Sequence, residues 1–384
     1  MAHTIAITVF VGSLCMIAYA YFGYPVFLAI ITALRNKTVK KGEYQPFVTI
    51  LIAAYNEEKC IAETIANKLA LHYPKDNYEI IVVSDGSTDK TDAIVQQFAN
   101  HKVTLLRQEP RAGKTMAVNL GITRARGEIV VFSDANSLWD AEALGFLMQN
   151  FNDPRVGYVT GKMIYTNPDG AVIGDGCSAY MKYENFLRTL ETRAGSVVGV
   201  DGGIDAVRKS LYRPMNADQL PDFVQPLSVC EQGYRVVYEE RAILKETTLQ
   251  NTSDEYRMRV RVALRAYWAL YDKANLLFNP RNLLFSWQLW SHKVIRYGCF
   301  LFLIGAYISN ALLAGTHPVF LALFILQNMG YGAALLAKLL EQRGLGSSLL
   351  NLCHFFVVVN FASGHAFLNF IQGQKKVLWT PRKG

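Results

Sequence analysis

The chain has 384 residues, of which 51% are hydrophobic, and its formal net charge is +8. This length allows two domains, and the hydrophobic fraction is high for a purely soluble enzyme. The six cysteines include no CxxC pair, which argues against a disulfide framework and a structural zinc site, and no helix-turn-helix, zinc or RNP-type motif supports binding to nucleic acid.

The apolar excess is confined to the two ends of the chain. Residues 4–34 and 297–337 contain no Asp, Glu, Lys or Arg. Because roughly 20 apolar residues span a bilayer, the first stretch predicts one crossing and the second predicts two. Residues 344–374 also lack charged side chains but contain several Asn and His, so they predict either a third C-terminal crossing or an interfacial or re-entrant helix.

Basic residues follow the first hydrophobic stretch directly, at Arg35, Lys37, Lys40 and Lys41. The positive-inside rule therefore predicts that this flank and the segment after it lie in the cytoplasm. The hydrophobic stretch is too long for a secretory signal and lacks a clear cleavage site, so we interpret it as a retained anchor. Together these features predict a multi-pass protein of the inner (plasma) membrane.

Strand and helix patterns alternate in the first half of the remaining chain. Short apolar runs typical of buried strands occupy residues 47–54, 78–84, 103–107 and 128–133. Strands that alternate with helices predict an α/β fold with a doubly wound, mostly parallel sheet. The turns that follow parallel strands share one sheet edge, where ligands bind, so we expect Tyr55, Asp85 and Asp134 to lie together there.

Asp134 ends the fourth strand and begins the sequence Asp134-Ala135-Asn136. The Asp134 carboxylate and the Asn136 amide oxygen suit a hard divalent cation that carries phosphates. The alternative is that Asp134 only caps the following helix.

A phosphate-loop-like stretch, Arg111 to Thr115, precedes this strand. The position five residues before Gly113 is Gln108, so the Walker spacing fails. Lys114 starts a helix near the same sheet edge, where it is either a contact for a diphosphate or a solvated lysine.

In combination these motifs resemble, in order and spacing, the nucleotide-sugar half of glycosyltransferase family 2. The matching stretches are Ile52 to Glu58, Asp85 to Thr91, Gly113 to Asn119 and Asp134 to Asn136. Downstream, Val200 to Arg208 resembles the family's acceptor-side glycine segment, and Leu220 to Phe223 resembles the segment that carries its catalytic base. The resemblance covers residues 47–265. The flanking hydrophobic segments are similar to those of cellulose, hyaluronan, poly-N-acetylglucosamine and chitooligosaccharide synthases.

The resemblance implies a GT-A fold and an inverting, metal-dependent transfer from a nucleotide sugar, with Mg²⁺ or Mn²⁺ as the cofactor. Carried over position by position, the resemblance implies that the nucleotide-sugar contacts are Tyr55, Glu57, Asp85, Lys114 and Asp134. It implies that the metal ligands are Asp134 and, more weakly, Asn136. The acceptor-side glycines are then Gly202 and Gly203, and the catalytic base is Asp222. The alternative for Asp222 is a helix cap, in which case Asp218 and Glu231 are the neighbouring carboxylates to consider.

Two motifs depart from the family form. Thr-Glu-Asp is replaced by Leu220-Pro221-Asp222, and no Gln-x-x-Arg-Trp motif is intact. Instead Arg257, Arg261 and Arg265 share one helix face, where they are expected to meet the acceptor or diphosphate, or else lipid headgroups. If Arg261 takes the place of the family's arginine, Val262 replaces the tryptophan and Trp268 is a candidate substitute. This departure weighs against long-chain processivity.

We therefore expect four regions: an anchor over residues 1–34, a cytoplasmic GT-A domain over 35–250, amphipathic interfacial helices over 251–293 and a C-terminal membrane region with two or three crossings over 294–384. The expected function is transfer of a sugar from a UDP-sugar to a growing glycan or lipid-linked acceptor, with formation of a β-glycosidic bond. The expected partners are the lipid bilayer and, as candidates, subunits of an export machinery. One alternative is a transferase that adds a single sugar to a polyprenyl-phosphate-linked acceptor. A transporter or receptor with a Rossmann-like regulatory domain is disfavoured, because no predicted crossing contains an Asp, Glu, Lys or Arg.

Overall fold

An eight-stranded mixed sheet lies at the centre of the protein. The computed structural model describes residues 1–166, 176–247, 252–341, 348–375 and 377. The strands are β1 (Val48–Ala54), β2 (Tyr78–Ser84), β3 (Val103–Arg107), β4 (Ile129–Asp134), β5 (Leu138–Trp139), β6 (Val156–Thr166), β7 (Asp205–Arg208) and β8 (Arg235–Thr247). Their spatial order is β3-β2-β1-β4-β7-β6-β8-β5.

Fifteen helices are described around this sheet. At the N-terminus, α1 (Ala2–Ala18) continues through a π turn at Tyr19–Gly23 into α2 (Tyr24–Leu34). Within the sheet domain, which we define as residues 48–247, the helices are α3 (Ile61–Leu69), α4 (Thr91–Gln96), α5 (Lys114–Arg124), α6 (Ala143–Asn150), α7 (Gly176–Ala194) and α8 (Pro221–Glu231). After it come α9 (Thr252–Asp272), α10 (Ala274–Leu277), α11 (Leu283–Leu289), α12 (Ile295–Tyr297), α13 (Cys299–Leu313), α14 (Pro318–Glu341) and α15 (Ser348–Ile371).

The strand β1 is buried on both faces of the sheet. Ile50 and Ile52 pack in a core with residues of α3 and α6, whereas Leu51 and Ala53 pack in a second core with residues of α5 and α8. A strand covered on both faces is expected to be apolar throughout, as the sequence of β1 is. The doubly wound interpretation is therefore correct for this part of the sheet.

Parallel pairing brings the predicted site residues to one edge. In the register of β1 with β2, Ala54 lies opposite Ser84, and in the register of β1 with β4, Ala53 lies opposite Asp134. The residues that follow these strand ends, including Asp85, therefore emerge at the same edge. All four predicted strands are confirmed, with bounds that differ by at most one residue.

The second half of the sheet is more mixed than the mostly parallel arrangement that the sequence suggested. β7 runs antiparallel to both β4 and β6, and β5 runs antiparallel to β8, while β6 and β8 pair in parallel. β7 enters the sheet from a tight turn in which Gly202 and Gly203 have positive φ angles of 81° and 75°. This antiparallel strand separates the parallel set β3-β2-β1-β4 from the parallel pair β6 and β8.

Among the described residues, three helical stretches are long and apolar enough to cross a membrane: Ala2–Leu34, Pro318–Ala337 and Leu350–Ile371. A fourth candidate consists of Pro280–Tyr297 and Cys299–Leu313, which meet at an angle of 54°. Two of the predicted C-terminal segments thus correspond to α13 and α14. The described part of α13 has 15 residues and reaches the length of a span only together with the bent segment before it.

The third C-terminal segment, α15, lies along α9 rather than away from the sheet domain. The Tyr256 hydroxyl is 2.9 Å from His365 Nδ1, and the rings of Trp268 and Phe370 are 4.7 Å apart. These contacts join the beginning of α9 to the middle of α15 and the end of α9 to the end of α15. Beyond α15, the Lys375 ammonium is 2.5 Å from the Asp218 carboxylate. The residues after α15 therefore contact the sheet domain.

These contacts predict the sidedness of the C-terminus. A topology reporter fused at Gly384 should read the same compartment as one inserted after Lys41, and by the positive-inside rule that compartment is the cytoplasm. A reporter at Gly315, between α13 and α14, should read the opposite side. Opposite readings for Lys41 and Gly384 would show that α15 crosses the bilayer.

Candidate active site

Asp85 follows β2 and organises the loop that precedes α5. Its side chain is fully buried, and its two carboxylate oxygens accept hydrogen bonds from the backbone N–H groups of Ala112 (2.8 Å) and Gly113 (2.9 Å). The side-chain amide of Gln108 also donates to it, and Arg111 Nε lies 3.6 Å away. Asp85 thus holds the loop against the sheet edge, so any role in nucleotide binding is shared with this structural one.

Tyr55 and Glu57 lie in the turn after β1, at the same edge. The guanidinium of Arg111 stacks 3.4 Å from the centre of the Tyr55 ring, a cation–π contact that the sequence did not reveal. The Glu57 backbone N–H donates to Thr91 Oγ1 (2.8 Å), which ties the turn to the start of α4. The backbone N–H of Asp85 donates to the carbonyl of Ala54, so the turns after β1 and β2 are directly joined.

The Lys114 ammonium connects two carboxylates at the centre of the edge. Lys114 is the first residue of α5, and its Nζ lies 2.5 Å from Asp134 Oδ1 and 3.8 Å from Asp222 Oδ2. Burial alone would lower the pKa of Lys114, but the two carboxylates raise it above its ordinary value. The ammonium form is therefore the one that this site favours. The structure brings together Lys114, Asp134 and Asp222, three residues predicted from separate motifs.

Asp222 is placed in the first turn of α8, directly after Pro221. Proline suits this position because its fixed φ angle matches a helix start, where no N–H partner is needed. Burial raises the pKa of the Asp222 carboxyl, and the charge of Lys114 opposes that rise. A carboxylate with a raised pKa is a better proton acceptor than an exposed aspartate.

Gly202 and Gly203 form the wall beside these carboxylates. A Cβ atom on Gly202 would lie 2.8 Å from the Asp222 carboxyl carbon, and one on Gly203 would lie 3.7 Å from Asp134 Oδ2. Both positions have positive φ angles, which residues with a side chain rarely adopt. The glycine segment therefore lies directly against both carboxylates: a side chain at position 202 would displace the Asp222 carboxylate, whereas one at position 203 would collide with Leu244.

Asp205 is a site residue that the sequence analysis missed. Its side chain is fully buried, and neither carboxylate oxygen makes a hydrogen bond of ordinary geometry with the described residues. Burial, followed by the charge of Asp222, raises the pKa of Asp205 from 3.8 to about 7. Asp205 begins β7 beside the glycine turn, and nothing in its local sequence distinguishes it from a surface aspartate.

The loop after β4 is anchored by α3. Lys68 is fully buried; its ammonium donates to the Ser137 carbonyl (2.5 Å) and lies 4.1 Å from the centre of the Trp139 ring. The Asn67 side chain makes two hydrogen bonds of 2.9 Å with the backbone of Trp139. The Trp139 indole N–H in turn donates to the Gly203 carbonyl (2.9 Å). One chain of contacts thus supports both the Asp134 loop and the glycine wall.

The three arginines of α9 have different surroundings. Arg257 is exposed, Arg261 is half-buried, and Arg265 is buried. The Arg265 guanidinium donates to the backbone carbonyl of Asp218 (3.2 Å) and to Thr115 Oγ1 (3.2 Å). Arg265 therefore holds the segment before Asp222 against α5, a positioning contact that helical periodicity alone does not reveal.

The other carboxylates considered for the base role are engaged elsewhere. Glu231 lies at the far end of α8, about 13 Å along the helix axis from Asp222, and contacts Lys273 Nζ (2.6 Å) and Asn275 Nδ2 (2.6 Å). Asp218 pairs with Lys375. Trp268 packs on Phe370, and its indole N–H donates to the Gln374 carbonyl. Apart from Tyr271 of its own helix, the contacts described for this tryptophan are with α15 and the residues after it.

A divalent cation at this edge would have few protein ligands. Within the described ranges no group of three His, Cys, Asp or Glu side chains is placed to hold a metal ion. Asp134 contributes one carboxylate, and Asn136 lies half-buried in the turn that follows β4. Mg²⁺ is commonly bound by one or two carboxylates together with substrate phosphates. The residues present fit such an incomplete protein site.

Known proteins resemble the chain in both sequence and fold. Residues 49–214 match the family "Glycosyl transferase family 2". A poly-beta-1,6-N-acetyl-D-glucosamine synthase of Staphylococcus epidermidis is 27% identical over 244 residues, covering 60% of this chain and 59% of the relative. A poly-beta-1,6-N-acetyl-D-glucosamine synthase of Staphylococcus aureus (strain COL) is 28% identical over 222 residues, covering 56% of this chain and 53% of the relative. The chain thus spans less than two thirds of the length of these relatives.

A solved structure is similar over almost the whole chain. The mannosyltransferase from Pyrobaculum calidifontis, determined in complex with GDP-Man and Mn²⁺, superposes with a TM-score of 0.74 over 97% of this chain and 100% of that one. The sequence identity is 22%, so the likeness concerns the fold. The predicted GT-A architecture is confirmed.

The burial of Asp205 predicts a pH-dependent stability. The folded state keeps the Asp205 proton up to about pH 7, whereas an unfolded aspartate loses it near 3.8, so the free energy of unfolding should fall as the pH rises between these values. Asp205→Asn removes this effect. We expect the variant to gain on the order of 2 kcal/mol relative to the wild type between pH 5 and pH 8, measured as melting temperature in detergent. Asp140→Asn, at the surface, controls for the loss of one negative charge. A stability difference between Asp205→Asn and the wild type that is the same at pH 5 and pH 8 would contradict the prediction.

Proposed function

The chain carries a glycosyltransferase family 2 domain, and from this premise we propose that the protein transfers a sugar from a nucleotide-sugar donor to an acceptor hydroxyl with inversion of the anomeric centre. The observation that carries the proposal is the Lys114 ammonium between Asp134 and Asp222, at the edge where parallel strands end. This arrangement offers a cation for a leaving diphosphate beside a carboxylate for an acceptor proton. A regulatory Rossmann-like domain would need neither.

The donor lies along the turns after β1, β2 and β4. In this proposal Tyr55, Glu57 and Asp85 bind the nucleoside, and Lys114 contacts the diphosphate as a point charge near the start of α5. The relatives that the chain resembles are synthases of an N-acetylglucosamine polymer, which supports a UDP-N-acetylhexosamine or UDP-hexose as the donor.

Asp134, assisted by Asn136, holds Mg²⁺ or Mn²⁺ together with the diphosphate. A bound divalent ion supplies a Lewis acid for the negative charge that develops on the leaving nucleotide. Lys114 already pairs with Asp134, so its ammonium is placed to share that charge. The Mn²⁺ in the similar mannosyltransferase structure agrees with this assignment.

Asp222 accepts the proton of the acceptor hydroxyl. As the acceptor oxygen forms its bond to the anomeric carbon, the bond from that carbon to the diphosphate oxygen breaks, and the proton moves to the Asp222 carboxylate. Inversion requires the acceptor to approach from the face opposite the leaving group. Gly202 and Gly203 let the backbone lie close to Asp222 and Asp134 because neither carries a side chain.

The acceptor is a growing glycan or a lipid-linked sugar at the membrane surface, as part of surface-glycan synthesis. Addition of a single sugar to a lipid-linked acceptor is the second candidate. The contacts of Trp268 favour this second candidate. A processive synthase needs a tryptophan beneath the acceptor sugar, whereas Trp268 packs on Phe370 and donates a hydrogen bond to Gln374 in the C-terminal segment.

The metal assignment predicts unequal effects of two substitutions. Asp134→Ala should abolish Mn²⁺-dependent binding of UDP, because it removes the one carboxylate assigned to the metal. Asn136→Ala should weaken binding less, and Asn136→Asp should preserve or tighten it. Calorimetric titration of UDP into the protein with and without Mn²⁺ measures these effects, and metal-dependent binding that survives Asp134→Ala would refute the assignment.

The base assignment predicts that Asp222→Asn lowers transfer by about 10²–10⁴-fold while UDP-sugar still binds. Asparagine keeps the size of the side chain and caps a helix nearly as well as aspartate, but it does not accept the proton. Radiolabelled transfer and donor binding should be measured on the same preparation, with Asp218→Asn as the matched control. Normal turnover in Asp222→Asn would remove this residue from the mechanism.

A further inference from the structure

A polar cleft lies between α9 and α15, outside the sheet domain. Tyr256, Arg257 and Val260 of α9 and His365 and Asn369 of α15 line a volume of about 100 Å³. The Tyr256 hydroxyl lies 2.9 Å from His365 Nδ1 and joins the two helices at the cleft. None of the five lining residues is acidic, so the one formal charge that they bring to the cleft is the positive charge of Arg257.

Two side chains of the cleft have hydrogen-bond donors that the protein does not use. Arg257 is exposed, and its guanidinium makes no hydrogen bond or ion pair with any residue that the structure describes. The side-chain amide of Asn369 likewise has no hydrogen-bond partner among these residues. A guanidinium has five N–H donors and an amide has two, and phosphate oxygens are strong acceptors for both. The cleft therefore suits a ligand with anionic oxygens.

Exposed apolar side chains of α15 lie beside these donors. Phe361 and Leu368 are 71% and 55% exposed, and together with His365 they occupy positions i, i+7 and i+4 of one helix face. The Phe361 ring is 6.3 Å from the ring of Tyr256, at the rim of the cleft. α15 is itself apolar enough to lie within a membrane. A ligand that fits both surfaces is therefore amphiphilic, with an anionic headgroup and apolar chains.

The cleft is separate from the candidate active site. Arg265, which holds the segment before Asp222, lies about 12 Å from Arg257 along the axis of α9. Val260, which lines the cleft, packs with alanines of α15 instead. A donor or an acceptor must reach the active-site carboxylates in order to react. The position of the cleft therefore suits a lipid of the surrounding bilayer rather than a reactant.

We propose that this cleft binds an anionic membrane phospholipid, with the headgroup phosphate on Arg257 and Asn369 and the acyl chains along Phe361 and Leu368. The ligand is a component of the bilayer and neither donor nor acceptor, so the inference does not depend on the proposed transfer reaction. Charge complementarity supports an anionic headgroup, because the lining has a cation and no acidic residue. The lipid contacts both helices and thereby stabilises the position of α9, the helix that carries Arg265.

The test uses the full-length protein in an uncharged detergent, with phosphatidylglycerol and phosphatidylcholine of equal acyl chains. Mass spectrometry of the intact complexes counts the lipids that stay bound at each lipid concentration. Phosphatidylglycerol should bind about tenfold more tightly than phosphatidylcholine, the worth of one charge-assisted contact. Arg257→Gln should lose this preference and Arg257→Lys should keep most of it. Glycerol phosphate, which has the anionic headgroup without the chains, should bind far more weakly than phosphatidylglycerol.

Arg281→Gln is the matched control, because Arg281 is an exposed cation that does not line the cleft. Equal binding of the two lipids to the wild type, or an undiminished preference in Arg257→Gln, would overturn the inference. So would an equal loss in Arg281→Gln, which would indicate diffuse attraction to surface charge, and equally tight binding of glycerol phosphate, which would indicate a simple anion site.

The same variant separates the lipid site from the donor site. Arg257→Gln should melt at the temperature of the wild type when no lipid is added, because the described residues make no hydrogen bond or ion pair with this guanidinium. Added phosphatidylglycerol should raise the melting temperature of the wild type and not that of the variant. A lower affinity for UDP in Arg257→Gln with unchanged lipid binding would place this arginine at the donor site and contradict the proposal.

Discussion

The register of β1 with its two parallel neighbours is the constraint on which the rest of the site depends. Because β1 pairs with β2 and β4 in the same direction, all three strands end at one edge. Asp85 and Asp134 come from stretches of chain about fifty residues apart, yet the pairing fixes their separation to about two strand spacings, because β1 lies between β2 and β4. A shift of one residue would move each side chain to the opposite face of the sheet.

Polar groups at this edge are fixed by buried partners as well as by the sheet. Lys68 illustrates this role, since a fully buried lysine is rare and costly. Its ammonium satisfies a backbone carbonyl in the loop after β4 and lies over Trp139, which itself donates to Gly203. The loop after β4 and the turn at Gly202 and Gly203 therefore share a single support, so a displacement of one is transmitted to the other.

The sequence was sufficient to predict the parallel half of the fold and the candidate residues at its edge. Strands β1 to β4 are apolar runs separated by helical patterns, and such signals are local. Asp205 and Lys68 were not predictable, because each resembles a solvated side chain until the packing around it is known. The direction of β7 was not predictable for a related reason. A strand of four residues after a glycine turn has no sequence pattern that indicates whether it pairs in parallel or antiparallel. The catalytic and binding roles of all the predicted site residues remain predictions.

The packing of α9 also determines how the protein can be divided. One face of this helix contributes Ala266, Ala269 and Leu270 to a core of the sheet domain, and the other packs Val260 and Leu264 against α15. On the opposite side, Tyr24 and Leu28 of α2 pack with residues of α7. A fragment that ended at the last strand would expose both apolar surfaces to water. The sheet domain and the helices packed against it therefore stabilise each other through these two apolar surfaces.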